Sequence, residues 1–104
     1  MDGEKRQGPR SFAIADVTFD HQGVHYHGRI NDMSQGGIYI DTINPLPEGS
    51  SVSFQFWLPA DESGRPISGE GRVVWMVHMQ GMGICFTRLS DEDRDRLKAH
   101  LSRK

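Results

Sequence analysis

One cysteine in 104 residues, Cys85, excludes an internal disulfide and any zinc site assembled from several thiolates. Its setting, Gly83-Ile84-Cys85-Phe86, reads as a small residue packed in a strand. No apolar run is long enough to span a bilayer, and Met1-Asp2-Gly3-Glu4-Lys5-Arg6 lacks the hydrophobic stretch of a signal peptide. The expectation is a cytoplasmic protein that does not insert into a membrane. Excess charge is missing too, since 12 Lys and Arg stand against 14 Asp and Glu for a net charge of −2. That balance excludes a protein that coats a nucleic-acid polymer through a bulk positive field. What positive character exists lies at the ends: residues 1–10 carry three basic against two acidic side chains, residues 11–89 four against eight, and residues 90–104 five against four. A basic N-terminal arm of this kind suits a small anion. Repeats and low-complexity tracts are also absent, and the length fits one domain with one core.

What is present is period-two patterning. Val24, Tyr26, Gly28 and Ile30 alternate with His25, His27, Arg29 and Asn31, and Val52, Phe54, Phe56 and Leu58 alternate with Ser51, Ser53, Gln55 and Trp57. Both segments predict half-buried strands. Further strands are predicted at Phe12 to Phe19, Ile38 to Asp41, Ile67 to His78 and Gly83 to Thr87, with turn chemistry at Asp20 to Gly23, Asn44 to Gly49, Pro59 to Pro66 and Met79 to Gly81. About six short strands in so short a chain favour an antiparallel barrel, because closure removes the edges that a small open sheet exposes. Trp57 and Trp75 are read as covering its wall.

Only the C-terminus, about 90–103, predicts a helix. Ser90 can cap it, Asp91, Glu92 and Asp93 suit the positive end of the helix dipole, and Arg103 and Lys104 suit the other. Leu97 and Leu101 share a face that can close one mouth of the barrel, and Glu92 is placed to pair with Arg96.

Two short segments carry the chemistry. Arg6 and Arg10 flank Gln7-Gly8-Pro9, where proline disfavours a helix, so the segment reads as an extended arm with two guanidinium tips. A planar guanidinium can donate bidentately to guanine O6 and N7 or stack on the ring. The second segment, Asp32-Met33-Ser34-Gln35-Gly36-Gly37, sits between two predicted strands. An ionised Asp32 accepts from the N1–H and N2–H₂ edge of guanine, Ser34 can donate to a phosphate oxygen, and Gly36 and Gly37 permit close approach. The same residues also make an ordinary turn, with Asp and Ser bonding to nearby amides.

Order and spacing connect the two. Lys5-Arg6-Gln7-Gly8-Pro9-Arg10 resembles the RxxxR segment of PilZ domains, and Asp32 to Gly37 resembles their [D/N]xSxxG segment. The likeness continues through Pro47-Glu48-Gly49, Gly71-Arg72-Val73-Val74-Trp75, Gly83-Ile84-Cys85-Phe86 and Leu89-Ser90-Asp91, so it covers nearly the whole chain. The resemblance implies an all-β fold with one C-terminal helix, a six-stranded antiparallel barrel over residues 12–104, preceded by a flexible ligand-binding arm over 1–11. It also implies a bacterial receptor for the second messenger cyclic di-GMP, with Arg6 and Arg10 reaching from the arm and Asp32, Ser34 and Gly37 binding from the barrel. Such a receptor has no catalytic residues, no metal and no cofactor. It signals to a downstream protein partner by folding the arm onto the barrel. Lys5 stands where family members often carry a further arginine, which leaves one or two ligands per chain open, and Trp75 falls in a strand where family members can approach the nucleotide.

Two other classes of function compete. One is a PilZ-like scaffold that binds a motility or pilus protein without nucleotide. The other is a small metal-dependent enzyme resting on His21, His25 and His27, for which the sequence offers no obvious acidic or cysteine partner. Ser34 and Asp32 without an assigned histidine make no triad.

Overall fold

The computed structural model describes residues 15–59 and 61–102. Arg6 and Arg10 lie outside the described residues, as does the start of the strand predicted from Phe12. Six strands, β1 (Ala15–His21), β2 (Val24–Met33), β3 (Gly37–Asp41), β4 (Ser51–Phe56), β5 (Ile67–Val77) and β6 (Gly81–Leu89), are followed by one helix, α1 (Asp91–Leu101). The strands close into an antiparallel barrel in the order β1-β2-β3-β6-β5-β4, with β4 pairing back onto β1. The expected fold class is the observed one.

The period-two faces behave as their chemistry dictates. Val52, Phe54 and Phe56 point inward from β4, with Leu58 buried just beyond, while Val17 and Phe19 of β1 and Ile38 and Ile40 of β3 meet them in the core. Burial of each such side chain contributes about 1.5–3 kcal/mol. Strand β1 runs two residues further than predicted because the turn is shorter: Gln22 and Gly23 both take positive φ, 52° and 83°, the two-residue hairpin geometry that matches strand twist. Val24 opens β2 half exposed, whereas Tyr26 stacks on Phe19 with ring centroids 5.1 Å apart.

Helix α1 starts where Ser90 Oγ accepts the Asp93 amide at 3.1 Å, and it buries Leu97 and Leu101. Its polar attachment differs from the local pair expected. Glu92 accepts from Arg65 at 2.8 Å on the exposed side. Arg96 turns instead to the segment between β4 and β5, donating to Asp61 at 2.6 Å, the Arg65 carbonyl at 2.7 Å, the Pro66 carbonyl at 3.3 Å and Asp93 at 3.1 Å. The Arg65 and Pro66 carbonyls of that segment lie within its reach, and a guanidinium with five donors engages more partners there than on an exposed neighbour.

The Ser63 amide, at 2.9 Å, and Arg96 together hold the Asp61 carboxyl at about 2, below its ordinary 3.8. A carboxylate depressed by folding stabilises the fold above its unfolded pKa, and that contribution disappears as pH falls toward 2. Asp61→Asn is therefore expected to melt below the wild type at neutral pH, with the gap narrowing between pH 4 and 2. Thermal melts across that range check it; a gap independent of pH would rule out the carboxylate as its source.

Candidate ligand-binding groove

Strand β2 cannot keep strict alternation at its end. Ile30 and Met33 are both fully buried, yet they are three residues apart. The strand resolves the conflict with a bulge: Ile30 pairs with Ile40, Asp32 with Tyr39 and Met33 with Ile38, leaving Asn31 as the extra residue. The consequence is that Asp32, which simple alternation would send toward the core, is delivered to the outer face. A second bulge in β5 acts likewise, with Val73 paired to Ile84 and Trp75 to Gly83, so that Val74 and Trp75 are both exposed.

Between the two bulges lies an open groove of ≈ 620 Å³, lined by Asp32, Ser34, Gly36, Gly37, Tyr39, Trp75 and their neighbours. Its end is formed by the β2–β3 turn. The Ser34 amide donates to the Gly37 carbonyl at 2.9 Å, and Ser34 Oγ accepts the Gly36 amide at 3.3 Å. The local turn chemistry and the candidate binding role thus coexist in the same residues. The two glycines are not equivalent. A Cβ on Gly36 would meet nothing within 4 Å, whereas one on Gly37 would lie 2.0 Å from the Ile84 carbonyl oxygen of β6. Only Gly37 is required by close approach, and the Phe86 amide clamps the same place by donating to the Gly36 carbonyl at 2.9 Å.

Of the floor of the groove, only the strand of Trp75 is pointed to by the family resemblance; Tyr39 and its stack with Trp75 have no signal in the sequence. Tyr39 of β3 and Trp75 of β5 stand on either side of Gly83 in one cross-strand row. With no side chain between them, the two rings stack at 5.2 Å with 15° between planes. Cys85, expected to pack inside, is instead exposed on the groove wall, because Ile84 takes the inward position.

Of the sequence-derived site residues, the structure brings Asp32, Ser34 and Gly37 together; Arg6 and Arg10 lie outside the described residues. No described lining residue of the groove is basic. The histidines behave differently. His25 meets Asp20 at 2.6 Å and His21 meets the Ser51 carbonyl at 2.8 Å. Among the described residues no group of three His, Cys, Asp or Glu could hold a metal ion. Asp20 separates His25 from Ser53 across the sheet, so a carboxylate rather than a hydroxyl takes the imidazole. A smaller groove of ≈ 410 Å³ on that side contains charges already paired with each other, His25 with Asp20 and Arg88 with Glu70.

A closed six-stranded barrel with a C-terminal helix and a polar turn opening onto an aromatic floor defines a small β-barrel domain with a candidate ligand groove on its outer wall. The sequence profile of the PilZ domain matches residues 4–103, and the chain belongs to that family. No curated protein matches it. Among solved structures, it is similar to the Bacillus subtilis inhibitor of motility MotI/DgrA, with a TM-score of 0.82 at 21% identity over 94% of this chain and 50% of that one. The PilZ domain of CeSA from a cellulose-synthesizing bacterium gives 0.69 at 17% identity, over 90% and 95%. The Borreliella burgdorferi PlzA protein, solved in complex with c-di-GMP, gives 0.67 at 16% identity, over 96% and 42%. The chain thus spans half or less of MotI/DgrA and PlzA, and at these identities the likeness concerns the fold. No helix among the described residues is long and apolar enough to cross a membrane.

Proposed function

We propose that this chain is a receptor for cyclic di-GMP that acts without catalysis. The observation that carries the reading is the β2 bulge, which turns Asp32 outward into a groove shared with Ser34 and Gly37. Asp32 accepts from the N1–H and N2–H₂ edge of one guanine, and Ser34 donates to a phosphate. Gly37 lets the turn sit close to β6. A dianionic ligand needs cations that the described lining does not supply. Arg6 and Arg10, in the arm over residues 1–11, are the residues for this, pairing bidentately with phosphate or with guanine O6 and N7. Membership of the PilZ family and the similarity of fold to a protein solved with c-di-GMP support the assignment. Output passes to a downstream protein once the arm closes on the groove; the likeness to an inhibitor of motility makes a motility component a reasonable first partner to test.

Titration calorimetry with cyclic di-GMP tests this, with cyclic di-AMP as the control nucleotide. Binding by the wild type is expected, with loss of at least about tenfold in affinity for Arg10→Ala and for Asp32→Ala, on the scale of one charge-assisted contact. The measured stoichiometry also decides between one and two ligands per chain. Failure of the folded wild type to bind cyclic di-GMP would move the assignment to a nucleotide-independent scaffold.

A further inference from the structure

Approach of a nucleotide to the strand of Trp75 is implied by the family resemblance, but Tyr39, stacked on that indole, belongs to neither motif. Tyr39 points outward because Ile38 and Ile40 on either side of it are buried. It pairs with Asp32 on one side and with Gly83 on the other, and Gly83 pairs with Trp75. One row therefore reads Asp32, Tyr39, Gly83, Trp75 across four adjacent strands. Glycine at 83 is what allows the rings to meet, since a Cβ there would lie 2.5 Å from Trp75 Nε1. Glycine at 81 does the same for the other ring, where a Cβ would lie 2.5 Å from the Tyr39 hydroxyl. Both rings consequently lie down over stretches of β6 that are bare of side chains.

Trp75 remains 46% exposed. An indole on an open surface normally samples several rotamers, and a ligand that stacks on it must bear the entropy of ordering it. Here the stack with Tyr39 restrains it beforehand. We propose that Tyr39 is a positioning residue that holds the Trp75 indole against β6 as a preordered stacking surface for a purine of the ligand, an inference that rests on the receptor reading above. Stacking is tolerant of base identity because every base has a π face. Tyr39 therefore sets affinity, and the preference for guanine stays with the hydrogen bonds to Asp32.

The test uses the full chain carrying Trp57→Phe, which leaves Trp75 as the sole tryptophan. Fluorescence anisotropy and acrylamide quenching of Trp75 are measured without ligand, followed by affinity for cyclic di-GMP, in this background and with Tyr39→Ala or Tyr39→Phe added. Tyr39→Ala is expected to lower anisotropy, increase quenching and weaken binding by about three- to tenfold, the scale of one aromatic pair. Tyr39→Phe, which keeps the ring, is expected to restore all three. If Tyr39→Ala fails to fold, Gly83→Ala replaces it, because the three nearest neighbours of the new Cβ would all be atoms of the Trp75 ring; it displaces the indole with the same expected result. Unchanged anisotropy and affinity in Tyr39→Ala, or no rescue by phenylalanine, overturns the assignment to Tyr39. Absence of cyclic di-GMP binding in the Trp57→Phe parent and the wild type overturns the receptor reading itself, an outcome visible before any Tyr39 variant is compared.

Discussion

Gly37→Ala is expected to destabilise the protein and abolish ligand binding, while Gly36→Ala one residue away changes stability by less than about 0.5 kcal/mol. The contrast follows from what each added methyl group meets. At Gly36 it enters open space; at Gly37 it would lie 2.0 Å from a backbone oxygen, Ile84 O, and 3.3 Å from Cys85 Cα. A flexible side chain could yield, but a strand in the middle of a closed barrel cannot move without disturbing its pairing with β5. Overpacking of this kind costs about 3 kcal/mol, which for a domain of this size lowers the melting temperature by about 10–20 °C. The β2–β3 turn would have to lift from β6, carrying with it the Ser34 amide bonded to the Gly37 carbonyl and the Gly36 carbonyl bonded to the Phe86 amide. Melting curves and calorimetry of both variants with cyclic di-GMP check the pair. Equal behaviour of the two would show that close approach at Gly37 is not what holds the turn.

The second large effect is expected far from the groove. Arg96→Met keeps much of the aliphatic length of the side chain and removes four hydrogen bonds, to Asp61, Asp93 and the carbonyls of Arg65 and Pro66. The Arg96 side chain is only 16% exposed, so water replaces these partners poorly. The loss is expected to be about 2–3 kcal/mol, in the range for hydrogen bonds to a charged group. Arg65→Ala, which breaks the ion pair to Glu92 between side chains 60% and 64% exposed, is expected to cost less than about 0.5 kcal/mol because solvent screens it. Denaturant melts of the two variants give the comparison. The latch and the groove share no residue, so cyclic di-GMP affinity of folded Arg96→Met should stay within about twofold of the wild type. A large loss of affinity would mean that the helix end of the barrel is coupled to the groove.

The two ends of the molecule contribute differently. The helix and the β4–β5 segment close the barrel, and the β2–β3 turn with its neighbours forms the groove. Both depend on β5, whose early residues pair with β4 and whose later residues carry the bulge that exposes Val74 and Trp75.

Much of this was legible along the chain because the signals are local. Alternation with period two identifies a half-buried strand wherever it occurs, and it located the start of β4 at Ser51, although the predicted pattern ran two residues past the strand's end at Phe56. Ser90, three acidic residues and Leu97 with Leu101 specify a capped helix from within eleven positions of one another. Asp32, Ser34 and Gly37 fall within six residues, from the end of β2 through the turn to the start of β3, so their proximity follows from sequence order alone. Even the bulge left a trace, since Ile30 and Met33 are both apolar at a spacing that alternation forbids.

Other features required strands to be neighbours that are distant in sequence. Tyr39 and Trp75 meet only because β6 lies between β3 and β5 and presents glycine at their level. Arg96 reaches Asp61, 35 positions away, and not the nearby Glu92, because the fold brings the segment between β4 and β5, with the Arg65 and Pro66 carbonyls, beside it. Cys85 became a groove residue because the register of β6 gave the inward place to Ile84. The elements, the barrel class and the polar half of the candidate site could be read along the chain, since each rests on patterns within a turn or along one strand. The aromatic floor, the direction of Asp32 and the helix latch come from the fold, since each depends on cross-strand register and on which segments the barrel brings side by side.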